Sequence, residues 1–492
     1  MNDTPRWRTW APALAAFTAL VLLVGACGGG ASPASSAGAT SGASQAAGAS
    51  GTPRSGAATG ATAEWSKASD GTQLSMIAEA TLNSQVLESL LPDFKAKTGI
   101  DVTIEQAPYD SVIQKLTLDA TTKQGGYDIV SLPYEFLGTF AEKGWIAPIA
   151  DRLNDSASFG PGFDPRAVIP ALWKASSVWR DKTYGFPSNS AVMMMFYRKD
   201  LFENAAEQAA FKTKYGYDLA VPKTWQQYRD AAEFFTRKAG STLAGATLAK
   251  DFAGVAMTGK RHVATILEWF DYAWTYGGGI LDDQGNLIVD SAKSVESLDY
   301  MAGLRPFAQA GYTNATWDET TATLQQGNAA LSITWGDTAG AMEAADQSAV
   351  VGKMGYASIP TLKEGDTALA HLGSWTYLIP SGSTKQDAAW EFMQWAMSAD
   401  VQTAMAKGGG LPATIASFKD PALVSSLPYW KQELTSLSES KSRPRIPEWG
   451  QLSDILQKQI SDVISGQASS ADALKGAADQ LKAVLPLPIL YQ

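Results

Sequence analysis

From residue 73 onward the apolar positions switch repeatedly between a period of two and a period near 3.6, the signatures of strand and helix. Gln73–Glu79 alternates as a strand. Asn83 then stands as the cap of a helix in which Val86, Leu87, Leu90, Leu91 and Phe94 recur at helical spacing until Gly99 ends it. The pattern goes on through a strand at 100–105, a helix at 109–121, a strand at 127–132 and a helix at 135–143. Past Tyr184 it resumes with a strand at 192–197, a helix at 224–238 led in by Pro222 and Lys223, a strand at 252–257 and a helix at 262–276. The last third is chiefly helical, with short strands at 329–334, 354–359 and 375–379. Strands alternating with helices of ten or more residues predict parallel βαβ units, which take ligands at the carboxyl ends of their strands. The loops after Glu79 and after Leu132 are therefore the first places to look for a site.

The opening 64 residues follow neither period. Arg6 and Arg8 precede an uncharged, mostly apolar run at 11–24, of about the 7–15 residues of a signal-peptide core and short of the roughly 20 needed to span a bilayer. The run closes on Val24-Gly25-Ala26-Cys27, which resembles the lipobox of bacterial lipoproteins, and Cys27 is the sole cysteine. Export, cleavage after residue 26 and a lipid on Cys27 are the expectation. From Gly28 to Ala63 the chain is Gly, Ala, Ser, Thr and Pro with one Gln, no aromatic and no aliphatic larger than Ala, and its one charge is Arg54. Such a chain cannot offset its backbone entropy by burial, so 27–64 is expected to be a disordered tether with a reach of about 30 Å.

Composition narrows the chemistry. The net charge of −10 argues against nucleic acid or an anionic lipid surface as partner. With one cysteine, assigned to lipid, disulfides and a catalytic thiolate are excluded. His262 and His371 are the only histidines, and neither has an acid at metal-ligand spacing, so no metal site is expected. There is no G-x-S-x-G elbow. Gly254 to Lys260 nearly matches a phosphate loop, but Arg261 stands where the Mg²⁺-binding hydroxyl belongs. Asp282-Asp283 beside Gly285 reads as a surface turn. No catalytic residue and no cofactor are assigned.

Seven blocks, in order, resemble the extracellular sugar-binding proteins of ABC importers, the maltose-binding superfamily. They are Gly126-Tyr127-Asp128-Ile129-Val130 through Glu135 to Pro148, Tyr184-Gly185-Phe186-Pro187 running to Phe202, Pro222-Lys223-Thr224-Trp225, Gln326 to Asp337, Gly373-Ser374-Trp375, Ala388 to Met393, and Gly409-Gly410-Leu411-Pro412. Pro108-Tyr109 to Leu118 and Arg443 to Trp449 are most similar to the sorbitol/mannitol-type branch. The resemblance spans about residues 70 to 492. It implies an α/β, periplasmic-binding-protein-like fold of type II: two α/β lobes, a ligand cleft and crossover hinge strands. The expected lobes are 65–188 with 357–380, and 189–356 with 381–492. It also implies a monomeric, lipid-anchored, extracytoplasmic receptor that closes on a sugar or polyol and delivers it to a membrane permease.

A polyhydroxylated ligand calls for carboxylates and amides in its hydroxyl plane and aromatic faces against its C–H patches. Glu79 ends the first strand. Glu135 stands seven residues after Asp128, where the resemblance implies a sugar-binding acid, and Tyr134 is beside it. Related disaccharide binders hold an acid six residues before the tyrosine of the crossover block; here that residue is Ala191, leaving Asn189 and Ser190 as neutral partners. Trp335 and Asp337 flank a glycine at a strand end, and Trp274 and Tyr276 precede Gly277-Gly278-Gly279. Trp375 follows Gly373, whose missing side chain allows a close backbone approach. Trp449 and Arg443 complete the candidates, Arg443 reading also as an inter-element salt bridge. Two other functions remain open: an envelope glycosidase using Glu79 and Glu135, and a receptor of the same fold for a polyamine or oligopeptide.

Overall fold

The computed structural model describes residues 64–489. The signal segment, Cys27 and nearly all of the expected tether lie outside the described residues. Among the described residues, no helix is long and apolar enough to cross a membrane.

Two sheets organise the chain. In the first, Gln73–Glu79, Asp101–Ala107 and Ile129–Pro133 run parallel, and Trp375–Leu378 pairs antiparallel with both Ile129–Pro133 and Gly185–Pro187. All five residues of Ile129–Pro133 are buried, as suits a strand covered on both faces. In the second sheet, Ala253–Ala256 runs parallel to Ala329–Trp335, while Met193–Arg198 lies antiparallel between Ala329–Trp335 and Met354–Ala357. The outcome is two α/β lobes. Residues 188–192 lead from one sheet to the other, and Val192 bridges to Leu372 on the returning segment.

The expected strands agree with the structure to within two residues, while Gly185–Pro187, too short to show a period, is not among them, and two other local expectations change. The helix Leu82–Thr98 is capped by Thr81, in a box with Ser84, and not by Asn83. Asn83 is turned inward, where its amide grips the N–H and C=O of Leu411, each at 2.9 Å. The expected helix at 135–143 splits into a 3₁₀ turn, Tyr134–Phe136, and the helix Leu137–Glu142. Gly99 ends the first helix at φ +80°, which favours glycine. The phosphate-loop near-match has a packing cause: a Cβ on Gly254 would fall 1.7 Å from the carbonyl oxygen of Ala232.

Beyond residue 381 the chain serves both sheets in turn. Helix Gln386–Ala396 packs on Leu82–Thr98, with Phe392 and Trp395 centred 5.4 and 4.9 Å from Phe94. Lys385 reaches the buried Asp128 at 3.0 Å. Helices Trp449–Ile464 and Ser470–Val484 instead pack against Val263–Tyr276 and Ala292–Ala302 beside the second sheet.

Candidate ligand cleft

Topology brings one edge of each sheet to a common cleft. In the first sheet the strand ends at Glu79, Ala107 and Pro133 lie together, and register places Trp375 opposite Pro133 and Thr376 opposite Pro187. Glu79, Tyr109, Asn189 and Trp375 therefore leave from one edge. In the second sheet Trp335 pairs with Met193, so the Trp335-Gly336-Asp337 turn and the crossover residue Ala191 share an edge. Helix Trp317–Gln325 precedes Ala329–Trp335 and runs back along it, so its start faces the same way.

These residues enclose a cavity of about 300 Å³. Of the residues read from the sequence, Glu79, Asn189, Trp335, Asp337, Gly373, Trp375 and Arg443 line it. Tyr109, Trp317 and Asp318 line it too and were not anticipated. Tyr109 had a signal, since it follows a strand's carboxyl end just as Glu79 does. Trp317 and Asp318 had none, because they lie before a strand and reach the cleft only through a reversed helix.

The aromatic wall is built edge to face. The Tyr109 ring is centred 5.6 Å from both Trp317 and Trp375, at interplanar angles of 76° and 85°. Trp335 lies across Gly373, where a Cβ would stand 2.5 Å from its ring. The glycine thus admits an indole rather than a ligand. Behind Trp335 sits the fully buried His371, 5.1 Å away between centroids, whose imidazole burial holds well below its ordinary pKa.

The acids divide into lining and supporting groups. The Glu79 carboxylate accepts no hydrogen bond from the described residues; burial, then Asp337, Asp318 and Glu135, push its pKa well up. Asp337 is pushed up to about 6 by burial, opposed by its own N–H and that of Thr338. Asp318 is also raised, by burial first and then by Glu319. Glu433 lies fully buried behind Gly336, whose Cβ would meet its carboxylate at 1.8 Å, which is why the turn holds glycine.

Glu135 takes a supporting place. It is fully buried, receives the Tyr109 hydroxyl at 2.6 Å and pairs with Arg443 at 2.9 Å. Arg443 lines the cavity, and its Nε and Nη1, closed off from solvent in the ligand-free chain, have no hydrogen-bond partner among the described residues. The Tyr134 ring lies under the guanidinium at 4.8 Å, its hydroxyl bonded to Leu372 O and Arg443 N. Trp449, also fully buried, packs on Arg443 from farther away.

The remaining expected contacts fall outside the cavity. Ser190 is fully buried, with no partner for its hydroxyl. Trp274 stacks on Phe270 at 4.6 Å, and Tyr276 packs toward Tyr300. A glycine-rich turn beside an aromatic does not tell which way the ring points. Asn189 both lines the cavity and accepts the Trp375 N–H at 2.9 Å, fixing the crossover against the first sheet. Among the described residues no group of three His, Cys, Asp or Glu side chains is arranged to hold a metal ion.

A cleft between two sheets, walled by indoles and lined by acids and one arginine, suits a solute with hydroxyls and C–H faces. Known proteins agree with that form. The chain is 25% identical to a mannitol-binding protein of Pseudomonas aeruginosa, over 80% of this chain and 87% of that one. It is 26% identical to a probable ABC transporter-binding protein of Deinococcus radiodurans, over 68% and 77%. Among solved structures, an ABC transporter solute-binding protein of Agrobacterium radiobacter in complex with ribitol superposes with a TM-score of 0.75 at 25% identity, covering 85% of this chain and 99% of that one. Residues 78–403 match the family described as bacterial extracellular solute-binding protein, and to that family the chain belongs.

Proposed function

We propose that this protein captures a small sugar or polyol outside the cytoplasm by closure of its two lobes and delivers it to the permease of an ABC importer. The observation that carries this reading is the convergence, from both sheets, of Glu79, Asp337 and Arg443 with the Tyr109, Trp317, Trp335 and Trp375 rings around one cavity. Acids accept from ligand hydroxyls, the free N–H groups of Arg443 donate to hydroxyl oxygens, and the rings cover C–H faces. A cavity of about 300 Å³ stands at the small end of ligand sites, about 300–1000 Å³, which favours a single sugar or polyol unit over a long oligosaccharide. The mannitol and ribitol bound by relatives are of that size class.

In this reading, closure leaves each unmatched hydroxyl buried and unpaired, at about 1–3 kcal/mol, and so sets selectivity. The lobe that carries Glu79 comprises 65–188 and 357–380, and the packing of Phe392 and Trp395 on Phe94 adds helix Gln386–Ala396 to it. A lipid on Cys27 holds the monomer near its permease, and the 27–64 tether sets the reach. The site binds without turnover.

A thermal-shift screen of sugars and polyols, followed by calorimetry, tests the function. A cognate ligand at 100 times its Kd adds about 2.7 kcal/mol of stability. Failure of every sugar and polyol to bind, or steady heat from turnover, overturns the reading. Mass spectrometry of the mature N-terminus tests the lipid, which an unmodified Cys27 rules out.

A further inference from the structure

The charge around the cavity does not balance. Glu79, Asp318 and Asp337 line it, and the one lining cation, Arg443, is already paired with Glu135. Glu433, fully buried behind Gly336, adds a fourth acid with no side-chain partner. Lys260, an exposed residue, and His262 oppose the rise at Asp318. Neutral hydroxyls satisfy the hydrogen bonds of these carboxylates but leave their charge uncompensated once closure expels water, and burying unpaired charge is costly.

We infer that the preferred ligand is an amine-bearing sugar or polyol, its ammonium held by Glu79, Asp318 and Asp337 and its hydroxyl oxygens meeting the free N–H groups of Arg443. The proposal rests on the sugar or polyol reading and deepens it. A second observation supports the hydroxylated part: Nε and Nη1 of Arg443, on a side chain only 4% exposed, have no partner among the described residues. A purely cationic polyamine leaves these donors unmet, whereas an amino sugar answers both the acids and the arginine. The rings at Tyr109, Trp317 and Trp375 add to the attraction, since a cation near an aromatic face is stabilised.

The test is calorimetry on the full chain at neutral pH with two matched pairs: sorbitol against glucamine, in which one terminal hydroxyl is an amine, and glucose against glucosamine. In at least one pair the amine is expected to bind about tenfold tighter or more, as charge-assisted hydrogen bonds require, and to weaken with added salt. Asp318→Asn, on an exposed helix start, and Asp337→Asn are each expected to weaken the amine severalfold more than its neutral partner, and so to cut the preference. If the neutral member binds as tightly or more tightly in both pairs, the amine proposal falls and the polyol reading stands. If none of the four binds, the amine proposal falls, and the polyol reading is decided by the wider sugar and polyol screen. A preference untouched by either substitution overturns the assignment of the ammonium to these acids.

Discussion

Two neighbouring strands of the first sheet each deliver an acid to the cleft edge, and the acids end in opposite circumstances. Glu79 finishes Gln73–Glu79; Glu135 follows Ile129–Pro133, which pairs with it in parallel. After Glu79 the chain turns at once into a helix capped by Thr81, leaving the carboxylate in the cavity without a partner among the described residues. After Pro133 a 3₁₀ turn tucks Glu135 beneath Tyr109 and against Arg443, a residue 308 positions away that no local pattern connects to it. A strand end locates the edge of a site. What the rest of the chain brings to that edge decides whether an acid meets ligand or holds the wall.

The largest expected effect separates the two acids by stability. Glu135→Ala strands the buried Arg443 guanidinium and the Tyr109 hydroxyl, and removal of one partner from a buried ion pair costs about 3–5 kcal/mol. Urea denaturation is expected to show that loss, with much of it recovered in Glu135→Gln combined with Arg443→Met. Glu79→Gln, which breaks no hydrogen bond or ion pair among the described residues, is expected to keep stability within about 1 kcal/mol. Equal losses in the two single variants would erase the distinction.

Binding reverses the order. Glu79→Gln removes a lining acceptor and is expected to weaken a bound polyol by about 1–3 kcal/mol, roughly tenfold to a hundredfold in Kd by calorimetry. Tyr109 joins the two acids, with its ring in the cavity wall and its hydroxyl on Glu135. Tyr109→Phe keeps the ring and is expected to cost about 1–2 kcal/mol of stability by leaving Glu135 short of a donor, with a smaller change in affinity. A large loss of affinity without loss of stability would place the hydroxyl on the ligand instead.

The same contrast shows what the sequence could tell. Periodicity located the strands of both sheets except the three-residue Gly185–Pro187, because burial of Met76 and Ile77 or of all seven residues of Ala329–Trp335 imposes a pattern that reads locally, and three residues are too few to show one. The strand-end rule reached Glu79 and, had it been applied to the strand before Pro108, would have reached Tyr109. It could not distinguish Glu79 from Glu135, since Arg443 arrives from the far end of the chain. Trp375 and Trp449 look alike as aromatic residues near glycine or proline; one lines the cavity and the other is fully buried under Arg443. Asn83 looked like a helix cap because it is a capping residue type, yet its amide is needed at Leu411, and Thr81 caps instead.

The smallest expected effect is a pH dependence confined to the open side of the comparison. Glu79 and Asp337 both hold their protons above their ordinary range, Asp337 to about 6, so between about pH 4 and 6 the folded chain binds more protons than the unfolded one. Stability follows the unfolded minus the folded proton count, so Asp337 makes the ligand-free protein less stable as pH rises through that window and level above it, and the raised pKa of Glu79 acts with the same sign. The full shift at Asp337 corresponds to about 3 kcal/mol, but water in the open cleft screens it, leaving a contribution on the order of 1 kcal/mol. Other acids, such as Glu268 at about 7, add slopes of their own. The useful quantity is therefore the difference between variant and parent. Urea midpoints for Asp337→Asn should run close to the parent's near pH 4 and above them near pH 8, with a similar gain for Glu79→Gln. Calorimetry with a bound amine should abolish the gap, because the ammonium then stabilises the same charges that the empty cleft disfavours. A gap that survives saturation would mean that the ligand's charge does not reach these carboxylates.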